Sequence, residues 1–128
     1  MRMEVSTGAR SGGKPLSSAI LTESFVFVSG QGGIDPGTGR IVGSDLESQT
    51  MQTMENIRLI LAEAGLGLND VAKCNVYLSD RKLYDEFNVI YSRCFHPPFP
   101  SRTVVYCDLN YHLLVEIDAI AVRRGGQQ

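Results

Sequence analysis

The sequence predicts an α+β fold in which two helices lie on one face of a mixed β-sheet, in the order β-β-α-β-α-β-β. Three observations predict it. Short β-branched and aromatic runs with a period of two recur along the chain, two stretches with apolar residues at three- and four-residue intervals separate them, and 128 residues suffice for one core. A single domain over residues 1–128 is therefore expected, with 1–13 as a loosely held N-terminal segment.

That segment, with Gly8, Gly12 and Gly13, reads as a weak edge strand followed by a loose loop. From Ser18 the pattern turns strand-like, and residues 24–29 form a short aromatic and β-branched run that fits a buried strand. Residues 30–39 hold five glycines and the turn signal Asp35-Pro36-Gly37, so the chain must reverse before Ile41 and Val42. A helix follows. Ser44 and Glu47 have capping-box spacing, and Met51, Met54, Ile57, Leu61 and Ala64 share a face, the two methionines as core filler. Gly65 supplies a left-handed stop.

In residues 71–78, Cys74, Val76 and Leu78 alternate with Lys73, Asn75 and Tyr77, the period of a half-buried strand. Ser79 or Asp80 can cap the second helix, whose apolar stripe is Leu83, Phe87, Ile90 and Cys94, and Pro97, Pro98 and Pro100 forbid its continuation. Residues 102–107 and 113–122 are strands whose five-residue connection, 108–112, suits an antiparallel hairpin. Two helices on one face leave the other sheet face, with several apolar residues, to be covered. Self-association covers it most economically.

Composition excludes several classes. Twelve Lys and Arg against fourteen Asp and Glu give a net charge of -2, with no basic run to neutralise a string of phosphates, so nucleic acid is a poor partner. Apolar runs such as 113–115 are far below the roughly 20 residues that span a bilayer. Residues 1–13 lack the apolar centre of a secretory signal, which makes the cytoplasm the expected compartment. Cys74, Cys94 and Cys107 form no Cys-x-x-Cys unit and read as reduced thiols.

Two residues stand out chemically. Glu116 and Asp118 interrupt an apolar strand and share a face with Ile120 and Val122, so at least one carboxylate needs a partner, unless this is the solvated face of an edge strand. Arg102 opens its strand directly after the rigid proline segment, and its planar fork matches a carboxylate bidentately. A surface ion pair is the alternative. Gly30, Gly32 and Gly33 can bring backbone amides close to a ligand, but the phosphate-loop order is absent and a tight turn explains them as well. His96 and His112 are the only histidines, which gives no metal-site spacing. Ser29, His112 and Asp118 can be written as a triad only without the nucleophile elbow such a site uses.

The chain resembles the RidA (YjgF) family of reactive-intermediate deaminases from about Pro15 to Val122. The matching segments include residues 25–31, Asp35-Pro36-Gly37-Thr38-Gly39, Gln49 to Gln52 with Asn56, and Asn88 to Tyr91. Most specific are Pro100-Ser101-Arg102-Thr103 and the downstream Val115-Glu116-Ile117-Asp118. The resemblance implies a chorismate-mutase-like fold, a homotrimer with sites in clefts between subunits, and cofactor-free hydrolysis of 2-aminoacrylate and related enamino or imino acids to 2-oxo acids and ammonia. It implies that Arg102 grips the substrate carboxylate, that backbone groups of Val104, Ser29 and Gly30 fix the imine end, and that Glu116 positions water and relays protons. Asn88 matches a residue near the family cleft, where it can equally serve to fix local backbone.

Leu16 departs from the tyrosine of the family's Pro-Tyr-Ser motif, Ser18 from a frequent glutamine, and Val104 from a frequent cysteine. The expected pocket is more apolar and suits a different or larger imino acid. Two other functions compete with this one: a non-catalytic trimer that binds small carboxylates as a regulator, and a ribonuclease, against which the charge balance argues.

Overall fold

The computed structural model describes residues 1–5 and 13–124. The loop expected over residues 6–12 lies outside the described residues.

Strand β1 (Met3–Val5) pairs with β2 (Ala19–Leu21), which forms a tight hairpin with β3 (Phe25–Gly32). The stretch that reads as strand-like from Ser18 is thus two strands, folded at Thr22 by its hydroxyl and backbone contacts to Phe25. The chain then reverses as expected: the Asp35 carboxylate accepts from the Gly37 amide at 2.7 Å, and Val42 returns to bond Gly33.

Helix α1 (Leu46–Glu63) begins one residue later than the capping-box reading predicts. Asp45 is the cap, its carboxylate accepting from the Ser48 amide at 2.9 Å, because its side chain rather than that of Ser44 faces the free amides of the first turn. Met54, Ile57 and Leu61 are buried as expected, but Met51 is 44% exposed and is not core filler. It points sideways, where its sulfur meets the Cys94 thiol at 4.0 Å. Gly65 has φ 76°, the left-handed stop the sequence predicts.

Strand β4 (Val71–Leu78) leads through a turn capped by Asp80 into α2 (Tyr84–Ser92), and then β5 (Ser101–Tyr106) and β6 (Val115–Val122). The six strands run in the order β1-β2-β3-β6-β4-β5. This corrects the hairpin expected between the last two strands. β4 lies between β5 and β6, parallel to β5 and antiparallel to β6. The β4-α2-β5 unit is a crossover connection, which must set its two strands parallel, so β6 pairs with the other edge of β4.

Both helices cover one face of the sheet, over Val26, Val28, Cys74, Val76, Leu78, Val115, Ile117 and Ala119. The opposite face carries Phe25, Phe27, Val105 and Val122, each exposed. Strand β6 alternates between buried and half-buried residues up to Ala121 and ends on the exposed Val122, which puts Glu116 and Asp118 on the open face.

Candidate active site

The two carboxylates of β6 share a face but not an environment. Asp118 accepts from Asn75 Nδ2 at 2.8 Å and from the Tyr77 hydroxyl at 3.0 Å, both on the neighbouring strand β4. Those donors satisfy it, and the hydrogen bond to Asp118, with burial and the Asp118 charge adding to it, raises the Tyr77 phenol above its ordinary pKa. Glu116 is half-buried and makes no hydrogen bond or ion pair among the described residues. Burial, with the Asp118 charge adding to it, pushes the Glu116 carboxyl above its ordinary value. A carboxyl without a partner, half-buried and raised in this way, is the candidate for proton transfer.

Strand β3 makes room for Glu116. Its pairing with β6 slips between Val28 and Gln31, so Ser29 and Gly30 form a bulge opposite Asp118, and Glu116 itself pairs with Gly32. A side chain at Gly30 would collide with the Glu116 carboxylate, so the absence of a Cβ there lets the acid lie against the backbone. The Ser29 hydroxyl donates to the Ser17 carbonyl at 2.6 Å, and the Ser29 amide donates to the Ser18 carbonyl at 2.9 Å, which ties residues 17 and 18 to the bulge. Leu16, one residue earlier, is 53% exposed. Glu116, Gly30 and Ser29 therefore lie together on the β3–β6 side, and Leu16 adjoins Ser17, the residue bonded to Ser29.

Arg102 belongs to a second cluster. Its Cα pairs with that of Cys74, which is fully buried under the helices, so Arg102 points to the helix side of the sheet. Its guanidinium carbon lies 5.9 Å from the ring centres of Tyr84 and Phe87 and 5.1 Å from that of Tyr91, all on α2. Nη2 donates to the Tyr84 hydroxyl at 3.5 Å, and no carboxylate lies within ion-pair distance among the described residues. The surface ion pair considered as the alternative for Arg102 is thus absent among the described residues. Val104 follows on the same face of β5, packed at the margin of the core. Asn88, half-buried, stands one turn beyond Tyr84 on α2.

The structure thus brings the expected residues together in two groups, not one. Within a chain, Arg102, Val104 and Asn88 lie on the helix side of the edge strand, and Glu116, Gly30, Ser29 and Leu16 on the other side of the sheet or at its bulge. Sequence reasoning missed the partners of Asp118 and the aromatic backing of Arg102. The spacing of Tyr84, Phe87 and Tyr91 at i, i+3 and i+7 carries a signal for the latter, but the stripe read from the sequence is Leu83, Phe87, Ile90 and Cys94.

A cavity of about 510 Å³ opens between α1 and the bulged end of β3, lined by Gly30, Gly32, Ile34, Asn56, Leu59 and Ile60. Neither Arg102 nor Glu116 lines it, though Gly30, which lies against Glu116, does. Among the described residues no three His, Cys, Asp or Glu side chains gather as a metal site requires, and no helix is long and apolar enough to cross a membrane.

By fold, the protein is one of the α+β proteins that set two helices on a mixed six-stranded sheet. Solved structures of that build include RidA from the Antarctic bacterium Psychrobacter, 32% identical with a TM-score of 0.88, covering 94% of this chain and 99% of that one. Another is Escherichia coli TdcF with bound serine, 31% identical with a TM-score of 0.88, covering 94% and 98%. A RutC family protein of Pyrococcus abyssi is 44% identical over 110 residues, 85% of this chain and 87% of the relative. The family model described as endoribonuclease L-PSP matches residues 9–123. The chain belongs to this family, that of the RidA, YjgF and RutC proteins.

Proposed function

We propose that the protein hydrolyses 2-enamino and 2-imino acids of the 2-aminoacrylate class to 2-oxo acids and ammonia, in sites that neighbouring copies of a homotrimer share. The observation that carries this reading is the unpaired, half-buried Glu116 held against Gly30 while Asp118 beside it is fully partnered. Arg102, with no ion-pair partner among the described residues, supplies the complementary charge. Because the two point to opposite sides of one sheet, one substrate reaches both only where Arg102 of one copy meets Glu116 of the next. The open apolar face gives a reason for such copies to associate.

The chemistry follows from the charges. Arg102 holds the carboxylate through two parallel charge-assisted bonds, and backbone groups at Val104 and the Ser29–Gly30 bulge orient the nitrogen end. The terminal carbon of the enamine takes a proton as the nitrogen gives one up, giving the imine. Water then adds across the C=N bond, its oxygen to carbon and one of its protons to nitrogen by way of Glu116, which gives a carbinolamine. Glu116 next takes the hydroxyl proton and passes it to the nitrogen, so that the C=O bond forms as the C–N bond breaks and ammonia leaves. A carboxyl whose pKa is raised is a stronger base than an ordinary carboxylate once ionised, and such placement is typically worth about 10²- to 10⁴-fold. The serine bound by the relative TdcF is also a small amino acid with a carboxylate, which agrees with the assignment of Arg102. A ribonuclease, which the family model's description invites, has less support, since the Glu116 face presents two carboxylates and the net charge is -2.

The test is to add the purified protein to a serine dehydratase reaction and follow the decay of the released enamine and imine. Accelerated decay is expected. A decay rate unchanged by the protein would leave a carboxylate-binding regulator as the better reading.

A further inference from the structure

We propose that the aromatic face of α2 is a positioning device for Arg102, and that Tyr84 is the residue that sets how the guanidinium is presented to a carboxylate. The proposal rests on the reading of Arg102 given above and extends it to a residue for which the resemblance implies no role.

Tyr84, Phe87 and Tyr91 fall on one stripe of α2, and their three rings lie 5.1 to 5.9 Å from the guanidinium carbon. A guanidinium at this distance is attracted by ring faces, and its flat shape stacks where an ammonium does not. Two of the rings also build the core. Phe87 is fully buried, Tyr91 nearly so, and Phe87, Tyr91 and Phe95 pack ring to ring at 5.4 and 5.1 Å. These rings fix the floor beneath the arginine.

Tyr84 differs from them. It is partly exposed, stands at the start of α2, and carries the hydroxyl that accepts from Arg102 Nη2. This is the single hydrogen bond of the guanidinium among the described residues. An arginine has five N–H donors, so most of the fork is left for a ligand while one corner is held. Without that hold the last torsions of the side chain are free, and carboxylate binding must order them first.

The experiment compares the full-length protein with Tyr84→Phe, Tyr84→Leu and Arg102→Ala, using pyruvate as the probe in titration calorimetry and the dehydratase-coupled assay for turnover. Tyr84→Phe, which keeps the ring, should weaken pyruvate binding and raise KM by about threefold, and Tyr84→Leu by about tenfold. In both, kcat should stay within about twofold, because the loss falls on binding shared by ground and transition states. A residue that merely supports the fold would lower active concentration and kcat, leaving KM and the pyruvate Kd unmoved. If the unaltered protein binds pyruvate through Arg102 but Tyr84→Leu binds it equally well, the positioning proposal is overturned alone. If the unaltered protein shows no Arg102-dependent pyruvate binding, the functional reading falls and takes the positioning proposal with it.

Discussion

Arg102 and Glu116 project from opposite faces of the same sheet. Arg102 is in register with the buried Cys74 and Glu116 with Tyr77 on the open face, and Cys74 and Tyr77 are an odd number of residues apart on β4. No rotamer change within one chain brings the two side chains to one small molecule. In the proposed function the two halves of the site therefore come from different copies, and assembly is part of the proposal.

Arg102→Lys should reduce kcat/KM by at least about a hundredfold, since a single ammonium cannot reproduce the planar fork or the stacking on the α2 rings. Assembly should be intact by light scattering. Steady-state kinetics with the dehydratase-coupled assay checks this, and turnover like that of the unaltered protein would contradict the assigned role.

Glu116→Gln should bind pyruvate normally and slow hydrolysis by about 10²- to 10⁴-fold. Titration calorimetry separates the two effects. Loss of binding with the substitution would make Glu116 a structural partner instead of the proton carrier.

The same substitution should change stability with a defined sign. The folded-state pKa of Glu116 is raised, so the folded protein binds its proton more tightly than the unfolded chain, and stability falls as pH rises from the unfolded pKa through the folded one. Replacing the acid by an amide removes that fall. Thermal melts should therefore show Glu116→Gln gaining on the unaltered protein as pH goes from about 4 to about 8. A gap that shrinks over this range would show that the carboxylate is stabilised on folding.

Gly30→Ala should cost activity more than stability. The new methyl group meets the far end of the Glu116 side chain, which can swing aside, so unfolding free energy should drop by only about 1 kcal/mol. Turnover should fall by about tenfold or more as the carboxylate leaves its place. Chemical denaturation alongside kinetics gives both numbers.

Much of the fold was legible because it depends on local period. Strand β6 shows its two faces through alternation alone, and Gly65 marks the end of α1 without reference to any neighbour. Strand order was not legible, since nothing in residues 108–112 tells that β4 will lie between the strands they join. The face of Arg102 was hidden for a related reason. Residues 104 and 105 are both valine, so a period of two selects no side for the strand, and only the parallel register with β4 decides. Which of Glu116 and Asp118 is free likewise depends on Asn75 and Tyr77 arriving opposite Asp118 across the sheet.

The most direct measurement is complementation between two inactive variants, Arg102→Ala and Glu116→Gln, unfolded together in equal amounts and refolded as a mixture. If each site takes its arginine from one copy and its glutamate from the next, random mixing restores both residues in about a quarter of the sites, and imine hydrolysis should return to about that fraction of normal. A mixed assembly with no more activity than either variant alone would contradict a site shared between copies.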